Sequence, residues 1–583
     1  MSFLSRIMVL KSRAHFSAGG SNRPSASYGS HNFQGAMKQR GKQARNRVAL
    51  VITGFAVVYA IIGGRLVQYG VAQPETVSSI MPADRLMASR PDILDRNGEV
   101  LATDIRTVSL YAEPHKIVDA DEAVEALSTV LPDLDVKGTY RKLSSNSRFQ
   151  WLRRQLTPKQ QSQILALGIP GIGFRPEKRR FYPGGPTASH IVGHVNVDNR
   201  GIAGMERYVD NQGLADLAAV GMTTDQHLEP VRLSIDLRVQ SIVREVLAEG
   251  IKKYEALGAG AVVLDVNTGE VLAMASLPDY DPNNPAEGAE EGWLNRMSNG
   301  TFEMGSTFKT FTTAMALDSG KVSINDSFDA RYPIRIGGFT IKDFHGKNRV
   351  LTVPEIFQYS SNIGTAKMAD LIGIEGHKEF LTRMGLLTKM QTELPEVAQP
   401  SQPREWKKIN SITISFGHGV STTPLQTAVA GAALVNGGHY ISPTFLPRTL
   451  EQAAEIAVPV VKKSTSDHMR YLLRWNATNG SGKRALVPGF DVGGKTGTAD
   501  KVVNGRYAKN GLNFNAFLSA FPIGDPKYLV LTYIDAPKTG EGGGRTAGLN
   551  ATPMVGEIVR RSAAILGVKP KFGEDGSALL MSY

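Results

Sequence analysis

A serine and a lysine stand three residues apart in Glu303-Met304-Gly305-Ser306-Thr307-Phe308-Lys309, at the opening of an apolar run (Phe308, Phe311, Ala314, Met315) with helical spacing. On a helix the two share one face about one turn apart. That is the geometry of a hydroxyl nucleophile beside a base able to take its proton. Serine at a helix start is commonly an N-cap, and lysine in a first turn is commonly a solvated charge. Ser-x-x-Lys occurs once in the chain, and partners elsewhere must give it chemical meaning.

A nucleophilic serine of this kind needs a proton route and an anion site: a second hydroxyl with an amide, and a strand-borne Lys-Thr-Gly. Ser-x-Asn occurs four times, at Ser30, Ser144, Ser323 and Ser360. The first lies in a basic N-terminal tail and the second in a region without catalytic pattern. The third follows the Ser306 helix, on the order of 20 Å along its axis from the nucleophile at 1.5 Å per residue. Ser360 and Asn362 remain, in a loop after the helix-like run Val353 to Tyr359. Of two Lys-Thr-Gly runs, Lys538-Thr539-Gly540 sits in a Pro/Gly-rich loop. Lys495-Thr496-Gly497-Thr498 follows Val492-Gly493-Gly494 and reads as a strand, with glycines that let a substrate backbone approach an edge.

The elements that hold these groups are legible in outline. Ala259 to Ser276 predicts two strands joined at Asn267-Thr268-Gly269, after a helix through Val239, Val243 and Leu247. Two more strands, Phe514 to Phe521 and Tyr528 to Ile534, lie far downstream, and Pro553 to Val568 closes with helical periodicity. Strands at both ends with a mostly helical stretch over 306–435 describe an α/β unit whose sheet is completed late. Before it, residues 68–230 form an irregular mixed module. An Asn97-Gly98 hairpin opens it, and Val124 to Leu131 and Pro158 to Leu167 predict short helices. Asp95 and Glu206 there read as isolated surface acids, because acid/base work needs paired carboxylates.

The net charge of +12 suggests nucleic-acid binding until it is located: residues 1–47 hold nine Lys or Arg and no Asp or Glu. This tail, rich in Ser, Gly, Asn and Gln, is expected to be disordered. The uncharged run of 17 residues from Val48 to Gly64 follows, then Arg65-Leu66-Val67. It predicts a transmembrane helix of roughly 26 Å with snorkelling arginines at its ends. The positive-inside rule places the tail in the cytoplasm and the rest outside. Absence of cysteine excludes disulfides, thiol nucleophiles and thiolate metal sites. No catalytic metal or cofactor is expected.

Ser-x-x-Lys, Ser-x-Asn and Lys-Thr-Gly in that order resemble the penicillin-binding proteins, the serine D,D-transpeptidases related to class A β-lactamases. The likeness extends to Arg90 through Ala102, to Arg180-Phe-Tyr-Pro183 with His190, Gly193 and Gly204-Met205-Glu206, and to Thr268 through Met274, Gly417-His418-Gly419 and Thr423-Pro424-Leu425-Gln426. Pro91 stands where class B members usually carry Gly, and Met304 where the motif before the serine usually has Pro. The resemblance implies an antiparallel sheet flanked by helices, plus a helical subdomain, on a mixed α+β pedestal with one N-terminal transmembrane helix. The implied segments are a tail (1–47), an anchor (48–67), a dimerisation-type pedestal (68–230), a transpeptidase domain (231–570) and a C-terminal tail (571–583).

The same resemblance implies roles. Ser306 is the nucleophile and Lys309, kept neutral by nearby positive charge, its base. Ser360 relays the proton to the leaving amine, and Asn362 holds the substrate amide and Lys309. Lys495, Thr496, Gly497 and Thr498 bind the terminal carboxylate of a D-Ala-D-Ala stem, and the backbone amides of Ser306 and Thr498 form the oxyanion hole. Division of the base duties in this superfamily is disputed. Implied partners are donor and acceptor stem peptides, β-lactams, membrane lipid, an FtsW-like glycosyltransferase and other division proteins. The Lys-Thr-Gly-Thr form and the Asn196-x-Asp198-x-x-Gly201 run look more like septal FtsI-type members of the inner membrane than elongation-type ones. A non-catalytic scaffold of the wall-synthesis complex is the reading from another class.

Overall fold

The computed structural model describes residues 52–60, 62–63, 90–213, 228–284, 286, 294–503, 506–508, 512–538 and 545–571. The chain divides into two units, Met1–Asp84 and Arg85–Tyr583. In the first, residues 52–60 and 62–63 are helical. The rest of the expected anchor, the basic tail and residues 572–583 lie outside the described residues. Among the described residues no helix is long and apolar enough to cross a membrane.

In the second unit, β1 (Ile93–Leu94) and β2 (Val100–Ala112) pair antiparallel around Asn97-Gly98, with Gly98 at φ 95°. Only glycine adopts such a φ without strain. The long β2 also pairs with β3 (Gln150–Leu156) and β4 (Ile172–Phe181), while β1 runs parallel to β5 (Val231–Arg232). Asp119 and Thr157 cap the helices Ala120–Val130 and Pro158–Ala166 through backbone amides left free in the first turn.

Asp95 and Glu206 are not surface acids; both are fully buried. Asp95 accepts from the amides of Asn97 (2.7 Å), Glu99 (2.9 Å) and Leu237 (3.0 Å), tying the hairpin to the start of the helix that begins at Leu237. Glu206 accepts from Arg90 Nε at 2.9 Å and Arg180 Nε at 2.6 Å. Arg180 also reaches Asp104 at 3.1 Å, and Arg90 reaches Asp210 at 2.5 Å. Partners as far as 142 residues away along the chain supply this compensation, beyond the reach of local pattern.

The region from residue 236 onward opens with the helix Leu237–Tyr254, capped by Asp236, then β6 (Gly258–Asp265) and β7 (Val271–Leu277). A helical stretch follows, interrupted by two short ladders, β8 (Ser327–Asp329) with β11 (Val350–Thr352) and β9 (Ile334–Ile336) with β10 (Phe339–Ile341). β12 (His439–Tyr440) pairs β13 (Val458–Pro459). Then come β14 (Gly493–Asp500), the pair β15 (Val502–Val503) and β16 (Arg506–Tyr507), β17 (Asn513–Phe521) and β18 (Tyr528–Asp535).

One antiparallel five-stranded sheet runs β14-β17-β18-β6-β7, so strands distant in sequence close it and β14 lies at an edge. Both faces are covered, which is why β6 and β18 read as nearly continuous apolar runs instead of alternating ones. On one face Val243 and Leu247 of the Leu237–Tyr254 helix, and Val555 and Val559 of the helix Ala551–Ser562, pack with Val263, Phe517 and Val530. That last helix is shorter than the 553–568 span its periodicity predicts. On the other face Phe311 and Met315 of the helix Lys309–Asp318, with Leu425 and Val429 of the helix Pro424–Ala433, join Leu518 and Leu531. Each such fully buried apolar side chain contributes about 1.5–3 kcal/mol. The Ser306 segment is thereby fixed between the sheet and the helical layer.

Candidate active site

Ser306 lies on a tight 3-10 turn, Gly305–Phe308, and the α-helix starts only at Lys309. The helical run predicted to open at the serine is therefore displaced by one turn. Gly305 has φ 52°, and a Cβ there would meet the Thr498 carbonyl oxygen at 2.6 Å. Across the same junction, a Cβ on Gly497 would lie 2.2 Å from the Met304 carbonyl oxygen. Glycines at both positions let edge strand β14 press against the serine turn, a tertiary demand that overrides helical spacing.

Lys309 points from the first helical turn into a nearly dry interior, 1% exposed. Its Nζ donates to the Ser360 carbonyl at 2.5 Å and lies 3.0 Å from Ser360 Oγ. Lys495, 0% exposed on β14, brings its own Nζ to the same Oγ at 3.0 Å and donates to the Thr496 carbonyl at 3.2 Å. Two amines thus converge on one hydroxyl, no farther apart than twice that hydrogen-bond length. Burial drives the Lys309 ammonium well below its ordinary range, and Lys495 adds repulsion. Burial alone takes Lys495 down to about 7. A neutral amine poised beside a hydroxyl network is what proton abstraction from serine requires.

Ser360 is presented by a break between helices. The helix Val353–Tyr359 ends on Ser360 in the left-handed conformation (φ 56°), and Ser361 caps the next helix, Asn362–Ile372, by accepting from the Gly364 amide. A non-glycine residue at such a φ persists only where its surroundings over-determine it. Asp343 does so: it accepts from Ser361 Oγ at 2.7 Å and from the Ile363 amide at 2.9 Å. Asn362 donates from Nδ2 to the Lys342 carbonyl at 3.0 Å, so its amide is bound to the segment carrying Asp343.

On β14, Thr496 Oγ1 lies 2.6 Å from Ser481 Oγ, and Thr498 Oγ1 accepts from the Ala547 amide at 3.1 Å. The strand pairs with β17 on one side, and among the described residues the edge facing Ser306 has no strand partner. The second Lys-Thr-Gly lies partly outside the described residues, and Lys538 there is solvated, as its composition predicts.

Sequence reasoning assigns no role to several groups around this centre. Asp343 carries no local motif and stands about twenty positions from the loop it braces. Glu303 accepts from the Gly419 amide at 2.8 Å and from the Tyr507 hydroxyl at 3.2 Å, tying the residues before the serine turn to both. His418, of the Gly-His-Gly run, packs edge-on to Tyr507 (6.0 Å between rings), and burial lowers its basicity. Elsewhere His190 and His194, four apart on a short helix and its exit, both turn their rings edge-on to Tyr280.

Chemically, the arrangement offers a serine nucleophile, a buried amine, a relay hydroxyl and a strand edge with cation and hydroxyls. That set fits acyl transfer from an amide whose chain ends in a carboxylate.

Comparison with known proteins agrees with this chemistry. Residues 259–560 match the penicillin binding protein transpeptidase domain, and residues 85–215 the penicillin-binding protein dimerisation domain. The chain is 37% identical to the probable peptidoglycan D,D-transpeptidase FtsI of Caulobacter vibrioides, over 84% of this chain and 83% of that one. It is 33% identical to the probable peptidoglycan D,D-transpeptidase PenA of Neisseria gonorrhoeae, over 90% and 94%. With peptidoglycan D,D-transpeptidase FtsI of Escherichia coli it shares 30% identity over 90% and 92%.

Proposed function

The chain belongs to the class B penicillin-binding proteins of FtsI type, and from that premise we propose how its residues carry out peptidoglycan D,D-transpeptidation. It is a serine-type transpeptidase that cross-links stem peptides, and β-lactams are its inhibitors. Ser306 Oγ attacks the carbonyl of the penultimate D-Ala while Lys309 takes the hydroxyl proton. The carbonyl oxygen becomes an anion held by the backbone amides of Ser306 and Thr498. The C–N bond then breaks, and Ser360 passes a proton to the departing D-Ala amine. An ester on Ser306 results. An amine from a neighbouring stem attacks that ester, forming the new peptide bond and returning the proton to the serine.

Lys495 and the hydroxyls of Thr496 and Thr498 receive the donor's terminal carboxylate, with Gly497 admitting its backbone to the strand edge. Asn362 holds the substrate amide. The convergence of Lys309 and Lys495 on Ser360 Oγ is the observation that carries this assignment. A β-lactam presents a strained amide and a carboxylate in the same relation, and leaves Ser306 as a slow ester. Labelled penicillin is the test: wild-type protein takes up label and Ser306→Ala does not. Uptake by Ser306→Ala, or none by wild type, overturns the assignment.

Residues 48–67 anchor the protein in the inner membrane, with tail 1–47 cytoplasmic, pedestal 68–230 and transpeptidase domain 231–570 periplasmic, and 571–583 a C-terminal tail. Charge asymmetry and the apolar run support this topology. The site of action is the division septum, beside an FtsW-like glycosyltransferase and other division proteins; the FtsI names of the relatives support it. Midcell fluorescence of a fusion, and filamentation on depletion, are the expected outcomes. Uniform side-wall signal with rounding of cells points to an elongation role instead.

A further inference from the structure

The segment between Ala330 and Val350 is fastened down on one side only. Ile334, Ile336 and Ile341 of the β9–β10 hairpin pack against Ala366, Ile412 and Phe416 of the helical layer. On the water side it exposes three large rings: Tyr332 (71%), Phe339 (66%) and Phe344 (82%). Single exposed apolar groups are ordinary. Here three exposed aromatic rings fall within thirteen residues of a segment that braces the loop carrying Ser360.

Charge follows the same pattern. Residues 331–349 hold five Lys or Arg against one acid, Asp343, and both oxygens of that acid are occupied by Ser361 and Ile363. Arg331 pairs with Asp329 and Arg349 with Glu355. Arg335, Lys342 and Lys347 have no carboxylate partner among the described residues. His345 lies against the Phe344 ring at 4.4 Å between centroids. The surface thus combines stackable rings with uncompensated cations, and it touches the catalytic loop through the bonds from Ser361 and Asn362.

We propose that this segment is a docking surface for the peptidoglycan strand, its rings stacking on sugar faces and its cations meeting the carboxylates of stem peptides. The inference rests on the transpeptidase reading above, and that reading identifies the occupant. A donor stem reaching Ser306 is covalently carried on a glycan strand, so polymer must lie near the serine loop while the stem is in the groove. Sugar rings present flat C–H faces that stack on aromatic rings much as other apolar faces do. Free carboxylates on the stems complement Arg335, Lys342 and Lys347, an attraction that salt screens. Binding here also bears on Asp343 and the Lys342 carbonyl, the two points that hold the Ser360 turn.

Full-length protein in detergent, sedimented with purified peptidoglycan sacculi, provides the test, with labelled-penicillin uptake measured on the same samples. The triple variant Tyr332→Ser, Phe339→Ser, Phe344→Ser is expected to bind sacculi about tenfold more weakly. Its rate of penicillin labelling stays within about twofold of wild type, because a small β-lactam does not reach the surface. Phe344→Ser alone, at the most exposed ring, gives a smaller loss and covers the case in which the triple variant does not fold. Lys342→Glu with Lys347→Glu weakens binding and flattens its salt dependence. Sacculus binding equal to wild type in labelling-competent variants overturns the proposal. So does a variant that keeps sacculus binding but loses association with another wall-synthesis protein, since the face then docks protein. Failure of wild type to take up penicillin overturns the transpeptidase reading instead.

Discussion

Arg90, Arg180 and Glu206 in the pedestal and Lys309 and Lys495 beside Ser306 are all withdrawn from water, but their charges are handled in opposite ways. In the pedestal each guanidinium meets carboxylates: Glu206 lies between the two arginines, with Asp104 and Asp210 on the outer sides. Burial works against the charged form of Arg180, yet Glu206 and Asp104 more than offset it and hold its pKa above the usual value. At the catalytic centre, neither lysine has a carboxylate among its hydrogen-bond partners in the described residues. Burial is therefore not offset by a hydrogen-bonded carboxylate, Asp343 opposes it at Lys309 only in part, and both amines are pushed toward the neutral form. Compensated burial fixes geometry; uncompensated burial maintains a free base at the cost of stability.

The largest effect expected from this contrast is on chemistry. Lys309→Met removes the buried amine and leaves an apolar side chain of similar length. Penicillin acylation should fall by about 10³-fold or more, within the range of general-base loss added to disruption of the relay. Thermal stability should stay level or rise, because the variant no longer buries an amine that must give up its proton to be there. A fall in both would break the comparison.

Glu206→Gln inverts the outcome. One neutral amide then stands between two buried guanidinium groups, and about 3–5 kcal/mol of stability should be lost in chemical unfolding. Protein that remains folded should acylate at close to the wild-type rate, since no group of this cluster touches the serine site.

Much of the candidate site is legible in the sequence because its motifs are local. Ser306 with Lys309, Ser360 with Asn362, and the Lys495 strand are each encoded within four residues, and only their order had to be read. The core strands were legible because both faces are covered. What stayed hidden depends on distant pairing. Asp95 and Glu206 read as surface acids because the amides and arginines that satisfy them come from other segments. The 3-10 turn at Ser306 was hidden for the same reason, since contact with β14 shapes it. Asp343 carried no signal, because a carboxylate that accepts from a loop far along the chain resembles any polar turn residue.

Gly497→Ala tests the contact that shapes the turn. The added methyl meets the Met304 carbonyl oxygen and must move β14 away from Ser306. Displacements of about 1 Å at a reacting centre cost about 10²-fold, and acylation should fall by that order while the sheet survives. Near-normal acylation would mean that the strand moves freely without cost.

Stability against pH gives a smaller and signed measure. Lys495 is lowered by burial to about 7 in the folded protein, so the unfolded chain binds more protons between that value and the ordinary lysine range. Folding stability from this group is fully present above the unfolded pKa and is lost as pH falls through about 7. Lys495→Met removes that dependence. Its stability advantage over wild type should be greatest at pH 7 or below and narrow as pH rises toward 10.

Asp343→Asn should have the mildest effect, and it separates position from charge. The amide oxygen can still accept from the Ile363 amide, and its NH₂ can donate to Ser361 Oγ, so the left-handed Ser360 turn keeps both fastenings. The negative charge that favours the protonated form of Lys309 is gone. Acylation at neutral pH should change by less than about tenfold, while the acidic limb of its pH profile moves to lower pH as Lys309 becomes easier to deprotonate. Asp343→Ala removes both fastenings and should lower the rate without that shift being its main sign. An acidic limb unmoved in Asp343→Asn would mean that Asp343 acts on Ser360 through geometry alone, leaving Lys309 governed by burial and Lys495.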